Sequence, residues 1–238
     1  MEAHSLFPIP NPPSAMPNPL TRADLESSRL HQMISQSGLG MQLLSESQLQ
    51  ESIRVTLKVH KPHTDVWLFA YGSLIWNPAF KFTERRVGTV YGWHRRFCLR
   101  ALVGRGTPEH PGLVLGLDSG GSCRGVVYRI PAADVESELL LLWRREMVIA
   151  SYIPRWVKVV DGTEEVMAIA FIINRHHPDY AGKMSFENTV NTIATAKGEL
   201  GSSAEYLIQT VKGLQTVGIE DKQLLRLQEC VLTQQNNG

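Results

Sequence analysis

The chain has few cysteines, no long apolar run and no excess of either charge, and each shortage closes off a class of function. Only Cys98, Cys123 and Cys230 occur in 238 residues, odd in number, widely spaced and without a C-x-x-C pair. That usage offers no disulfide framework and fits a reducing cytoplasm. No apolar run reaches the ~18 residues of a membrane span, and the Pro-rich, acidic-polar N-terminus lacks the basic-then-apolar order of a secretory signal. Neither a span nor a signal is expected. With 24 basic and 23 acidic residues the net charge is +1, and no basic run interleaves with aromatics. A dedicated nucleic-acid or membrane surface is not expected either. The Gly/Pro-rich loop from Gly104 to Gly112 holds neither G-x-G-x-x-G nor G-x-x-x-x-G-K-[ST], so it is no nucleotide loop. It reads as a hairpin connection or a mobile rim. His176-His177 lacks a further ligand at metal spacing, so no metal is expected.

What is present suits one substantial core, at 43% hydrophobic, with a possible tail. Phe7 to Leu20 carries six prolines, so residues 1–20 read as an irregular tail. Thr21 to His60 is polar and helix-like, broken at Gly38-Leu-Gly40. Ser45-x-x-Gln48 resembles a capping box ahead of Leu49, Ile53 and Leu57 on one face. Residues 21–65 are therefore expected to be a helical extension packed on the core. From Val66 strands follow at about Val66 to Ala70, Val87 to Tyr91, Arg96 to Leu102, Leu113 to Leu117, Arg124 to Ile130, Arg155 to Val160 and Val166 to Ile173. One helix interrupts them, from Ala132 to Met147. Helices return at Ser185 to Lys197, Ala204 to Val217 and Asp221 to Leu232. Strands first and helices last give an α+β fold, and 66–232 reads as its main domain.

Chemistry gathers at two places. The run Val66 to Phe69 forms a buried strand that breaks at Gly72-Ser73 and again at Asn77-Pro78. Backbone N–H groups leave the sheet there without ladder partners, which suits a bound carboxylate. In the helix from Ala132 to Met147, Val135, Leu139, Leu142 and Glu146 recur at offsets of four, three and four, so Glu146 extends an apolar stripe. Burial disfavours the ionised carboxyl and moves its pKa towards the range of a general base near neutrality. The alternatives are a structural acid neutralised by Arg144, Arg145 or Arg100, or one that has emerged into solvent at the helix end. Arg95, Arg96 and Arg100 form a basic strand, either a solvated face or, since Arg100 shares a side with Arg96, an inward group that meets a substrate carboxylate.

Phe69-Ala-Tyr-Gly-Ser-Leu74, Gly92-Trp-His-Arg-Arg-Phe97, Gly104-Arg-Gly-Thr107, Arg145-Glu-Met147, His177-Pro-Asp-Tyr180 and Glu205-Tyr-Leu207 follow one another in the order seen in the ChaC-type γ-glutamylcyclotransferases, which the chain resembles from about Val66 to about Leu227. The resemblance implies a small cyclotransferase-like β-barrel with packed helices and a C-terminal helical region. It also implies cleavage of glutathione to 5-oxoproline and cysteinylglycine without a cofactor. The nucleophile in that reaction is the substrate's own α-amine, so no Ser-His-Asp or Cys-His set is needed. Glu146 would move the protons, while Phe69, Ala70, Tyr71, Gly72, Ser73 and Leu74 would hold the α-carboxylate through the backbone. Tyr152 resembles a tyrosine packed near the catalytic acid, and would otherwise be a core lid. Tyr206 faces either the cleft or the core, and Arg100 would meet the glycyl carboxylate. The family usually has Gly where this chain has Ala70, which a left-handed backbone would strain. Two other functions stay open: the same chemistry on other γ-glutamyl amino acids or amines, and a non-catalytic regulatory or binding protein on the same fold.

Overall fold

The computed structural model describes residues 19–162 and 164–237. The tail expected over residues 1–20 thus lies, up to 18, outside the described residues. Among those described, five long strands close into a barrel: β1 (Val66–Ala70), β2 (Glu84–Ala101), β3 (Gly112–Ile130), β4 (Tyr152–Asp161) and β5 (Glu164–Ile173), in the order β1-β3-β2-β4-β5. Strand β1 runs antiparallel to β3, with Val66 opposite Ile130 and Ala70 opposite Val126. Its other edge closes the barrel in parallel with β5, Trp67 opposite Ala168 and Leu68 opposite Ile169. Paired on both edges and covered on both faces, it is apolar throughout rather than alternating.

The sequence suggests seven strands where the barrel has five long ones. Gly92 and the Gly120-Gly121 pair read as breaks, yet each lies within a continuous strand. The three glycines take positive φ, and the β2–β3 ladder shifts register between Tyr91 and Trp93 before it resumes. A bulge built on glycine bends a strand without ending it. A second shift lies between Phe97 and Leu99. The Gly/Pro-rich loop is the hairpin connection between β2 and β3.

The helices are α1 (Arg22–Glu26), α2 (Arg29–Gln36), α3 (Glu46–Leu57), α4 (Ser73–Trp76), α5 (Val135–Glu146), α6 (Phe186–Thr195), α7 (Ser203–Thr216) and α8 (Lys222–Asn237). The Ser45–Gln48 capping box opens α3 and buries Leu49 and Ile53 against the barrel core, with Leu57 half-buried. Positive φ at Gly38 and Gly40 marks the break before it. Helix α5 lays Leu139, Leu142 and Trp143 on the barrel, with the Trp143 ring edge-on to Phe171 at 5.0 Å. It is buried on its other side as well, at Glu138 and Leu141, because α1, α2 and α3 cover it. Glu138, 1% exposed at its side chain, accepts a forked pair from Arg22 at 2.7 and 2.9 Å and a bond from the Lys81 N–H at 3.0 Å. Burial raises its pKa, and the hydrogen bonds from Arg22 and the Lys81 amide outweigh burial and lower it.

Since Leu49 is 3% exposed within the shared core, Leu49→Ala is expected to cost about 2–4 kcal/mol. The measurement is the urea midpoint. An unchanged midpoint would mean that α3 stabilises nothing in the barrel.

Candidate active site

The end of β1 and the end of α5 meet over the barrel mouth. Gly72 leads from β1 into α4 without a side-chain cap, and the first N–H groups of a helix have no acceptor within it. The turn is held from behind. Arg95, buried among the core side chains, donates to the Tyr71 carbonyl at 2.9 Å and to the Arg124 carbonyl, and pairs with Asp221 at 3.2 Å. Helix α4 is pressed onto α7, where a Cβ on Gly213 would meet the Trp76 Cβ at 2.9 Å. Gly72 is equally confined: an added Cβ would lie 3.1 Å from the Tyr206 hydroxyl and 3.6 Å from Leu115 Cδ1. Ala70, expected to be strained if left-handed, is ordinary strand backbone paired with Val126 and is absent from the positive-φ positions.

Glu146 is the last residue of α5, and its side chain is 13% exposed. Arg145 Nε lies 3.1 Å from its Oε1, and the same guanidinium donates to Ser73 Oγ at 2.9 Å and to the Asn77 carbonyl at 2.6 Å. One cation thus ties the acid to the turn. Burial raises the Glu146 pKa, and the charge of Arg145 offsets only part of that rise. Of the neutralising partners the sequence allowed, Arg144 turns away to Glu46 and to the Leu25 and Glu26 carbonyls. Arg100 is exposed at the cavity rim.

Phe69, Tyr71, Gly72, Ser73, Leu74, Glu146, Tyr152 and Tyr206 all line one small pocket, with Leu115 and Phe171. Tyr71 donates to the Phe171 carbonyl and Tyr152 to the Leu115 carbonyl, each at 2.7 Å. Burial, reinforced by nearby groups including Glu146, keeps both phenols neutral, and pushes Tyr206 up to about 12. Tyr206 belongs to core and cleft alike: its ring packs edge-on to Phe97 and Trp76 while the hydroxyl points at Gly72.

The pocket opens into a cavity of about 190 Å³ that also reaches Arg100, Arg105 and Arg145. Arg105 stands in the Gly104-Arg-Gly-Thr107 motif, but a Gly/Pro-rich loop gives no periodicity from which its side chain could be placed in the site. It is 8% exposed, its guanidinium lies 5.9 Å from the Tyr206 ring centre, and its closest acid, Glu205, is 4.0 Å away. Burial lowers its pKa. Arg96 has no place in the cavity and instead pairs with the buried Asp118 beside Tyr180. The bulge at Phe97–Leu99 breaks the period-two relation between Arg96 and Arg100, so the two do not share a side. Leu20, Leu30, Ile34 and Met41, all ahead of Val66, line this cavity as well.

His177 accepts from the Asp179 N–H at Nδ1 (3.2 Å), which leaves Nε2 to donate to the Ile149 carbonyl at 2.9 Å. It is a loop brace. Among the described residues no group of three His, Cys, Asp or Glu is arranged to hold a metal, and no helix is long and apolar enough to cross a membrane.

The profile of the family described as ChaC-like protein matches residues 66–234, a span that contains the turn, Arg145, Glu146 and all three tyrosines. The chain belongs to this family. Among its ChaC-like relatives, a glutathione-specific gamma-glutamylcyclotransferase of Escherichia coli (strain K12) is 43% identical over 180 residues, covering 75% of this chain and 78% of the relative. The human glutathione-specific gamma-glutamylcyclotransferase 1 is 31% identical over 175 residues, covering 71% and 79%. A yeast gamma-glutamyl cyclotransferase specific to glutathione superposes with a TM-score of 0.67 over 74% of this chain and 99% of that one, at 22% identity. That likeness bears on the fold, which is the α+β barrel with packed helices.

Burial of Glu146 has a signed consequence for stability. Its folded-state pKa lies above the unfolded value, so the stability it contributes is full below the unfolded value and is lost as pH rises through the folded one. Glu146→Gln removes that loss. The variant is expected to melt above the parent at neutral pH, the gap closing as pH falls towards 4.5, the ordinary glutamate value. A parent that melts higher at neutral pH would mean that the ion pair with Arg145 outweighs burial.

Proposed function

We propose that the protein is a glutathione-degrading γ-glutamylcyclotransferase, a lyase that needs no cofactor. One observation carries this reading: a buried carboxyl with a raised pKa, Glu146, joined through Arg145 to an anion-binding turn. A pure binding site has no need of a desolvated acid. The names of the relatives, both specific to glutathione, support the substrate.

In the proposed reaction the stretch from Phe69 to Leu74 holds the γ-glutamyl α-carboxylate, the strand residues Phe69 and Ala70 fixing the turn and the N–H groups beyond Ala70 donating. Glu146 takes a proton from the α-ammonium. The freed amine attacks the γ-carbonyl carbon, Glu146 passes its proton to the departing nitrogen as the C–N bond to cysteine breaks, and the second proton shed by the ring nitrogen follows, so that the lactam is neutral and the amine leaves as an ammonium. The products are 5-oxoproline and cysteinylglycine. Holding amine and carbonyl in register supplies on the order of 7 kcal/mol of the barrier reduction. Arg100, at the rim, is assigned to the glycyl carboxylate. Tyr71, Tyr152 and Tyr206, all neutral, shield the reacting centre from water. Residues 66–232 are the proposed catalytic domain, with 21–65 as its extension. A cytoplasmic location is part of the proposal, supported by the three free cysteines and by the abundance of glutathione there.

Glutathione, γ-Glu-Ala and γ-Glu-ε-Lys, each assayed for 5-oxoproline, test the function. Release from glutathione at the highest kcat/KM is expected, and release from none would defeat the proposal. Glu146→Gln should keep glutathione binding and lose about 100-fold or more in turnover, because an amide cannot accept the ammonium proton. Parent-like rates in a folded variant would remove Glu146 from its role.

Gly72→Val crowds the Tyr206 hydroxyl and displaces the turn. Its kcat/KM is expected to fall about 100-fold. An unchanged value would place the α-carboxylate elsewhere.

A further inference from the structure

Resting on the cyclotransferase reading above, we propose that the segment ahead of the ChaC-like match builds the leaving-group side of the cavity. Leu20, Leu30, Ile34 and Met41 form an apolar wall for the residue attached to the γ-glutamyl group, and so set which amines the enzyme releases.

The placement carries the inference. These four side chains line the same cavity as Glu146, Tyr152 and Tyr206, although they lie more than twenty residues before the matched span begins at 66. They are also fixed to both elements that bear the chemistry. The Leu20 carbonyl accepts from Asn77 Nδ2 at 2.9 Å, and Asn77 is the residue whose own carbonyl accepts from Arg145. Arg22 forks onto Glu138 of α5, and the Leu44 N–H donates to the Val148 carbonyl just past Glu146, at 2.9 Å. The wall therefore has a set position relative to the acid and to the turn.

Its chemistry selects a substrate class. The turn and Glu146 engage only the γ-glutamyl half. Beyond them the segment presents Leu20, Leu30, Ile34 and Met41 to the cavity, which also holds the guanidinium groups of Arg100 and Arg105 and the carboxylate of Asp179. A thiol or small apolar side chain at the second residue buries well against Leu, Ile and Met, whose thioether adapts to irregular shapes. A charged one is desolvated against that wall, whose four side chains offer it no polar partner. The wall thus favours γ-glutamyl peptides with cysteine or a small apolar residue next, and disfavours the charged head of γ-Glu-ε-Lys.

The test compares γ-Glu-Cys-Gly with γ-Glu-Gly-Gly, which has no second side chain to touch the wall. Leu30 and Met41 are only half-buried, so their replacement spares the fold, as a melting curve will verify. In Leu30→Ala/Met41→Ala the KM for glutathione is expected to rise about tenfold, with a smaller rise for γ-Glu-Gly-Gly. In Met41→Lys the preference is expected to shift towards γ-Glu-Asp-Gly. If both folded variants keep the parent's ratio of kcat/KM between the tripeptides, the wall has no part in selection. A parent that binds glutathione without cleaving it defeats the functional reading alone, and the wall is then judged on Kd for the same peptides. A parent that neither binds nor cleaves defeats both.

Discussion

The guanidinium of Arg145 is the interaction on which the site depends. It reaches Ser73 Oγ, the Asn77 carbonyl and the Glu146 carboxylate, and so fastens the end of α5 to α4. A cation 3.1 Å from a carboxylate ordinarily lowers its pKa. Here burial is the larger effect and the net direction is upward. Two of the rigid fork's donors are directed at fixed protein acceptors, so the cation is held in place without wrapping the acid. Glu146 is thereby kept close to a positive charge while its pKa stays above the ordinary glutamate value.

Much of the remaining structure keeps that clamp in register. Strand β1, central and paired on both edges, delivers the turn to a fixed point. Arg95 braces the Tyr71 carbonyl from inside, and its partner Asp221 accepts from the first N–H groups of α8, so the C-terminal helices bear on the turn as well. Gly213 lets α7 approach the Trp76 Cβ closely, and the Trp76 indole donates to Thr210 at 3.1 Å. On the other side, α1 to α3 cover the face of α5 that would otherwise meet water. That cover is part of why an acid at a helix terminus remains desolvated.

Local periodicity made the two halves of the site legible. Val66 to Phe69 could only be a buried strand, and the four-three-four spacing that ends in Glu146 placed its carboxyl on the inner face of α5. The sequence did not disclose which arginine meets which acid. Arg144, Arg145 and Arg100 were equally available to Glu146, and their division of labour is set by tertiary contacts such as that of Arg144 with Glu46. Period-two reasoning failed along β2 because a bulge intervenes at Phe97–Leu99, and a bulge is specified by the partner strand as much as by its own residues. The role of the extension was hidden for a related reason. Arg22 and Glu138 are 116 residues apart, and no pattern within either segment announces the pair.

The charge of the cavity completes the account of its substrate. Arg145 is satisfied within the protein, whereas Arg105 is buried with its closest acid 4.0 Å away, and burial lowers its pKa. A buried cation so loosely partnered favours an incoming anion, since ion pairing recovers part of the lost hydration. In the proposed reading the backbone N–H groups of the turn hold a second anionic group, and Glu146 is joined to that turn through Arg145. A ligand with one ammonium near the base and carboxylates at both ends matches that order of charges. A γ-glutamyl tripeptide has those groups in that sequence. In the proposed reading a γ-glutamyl amine without a distal carboxylate would bring no anion to Arg100 and Arg105, both of which line the cavity, whereas a tripeptide brings one.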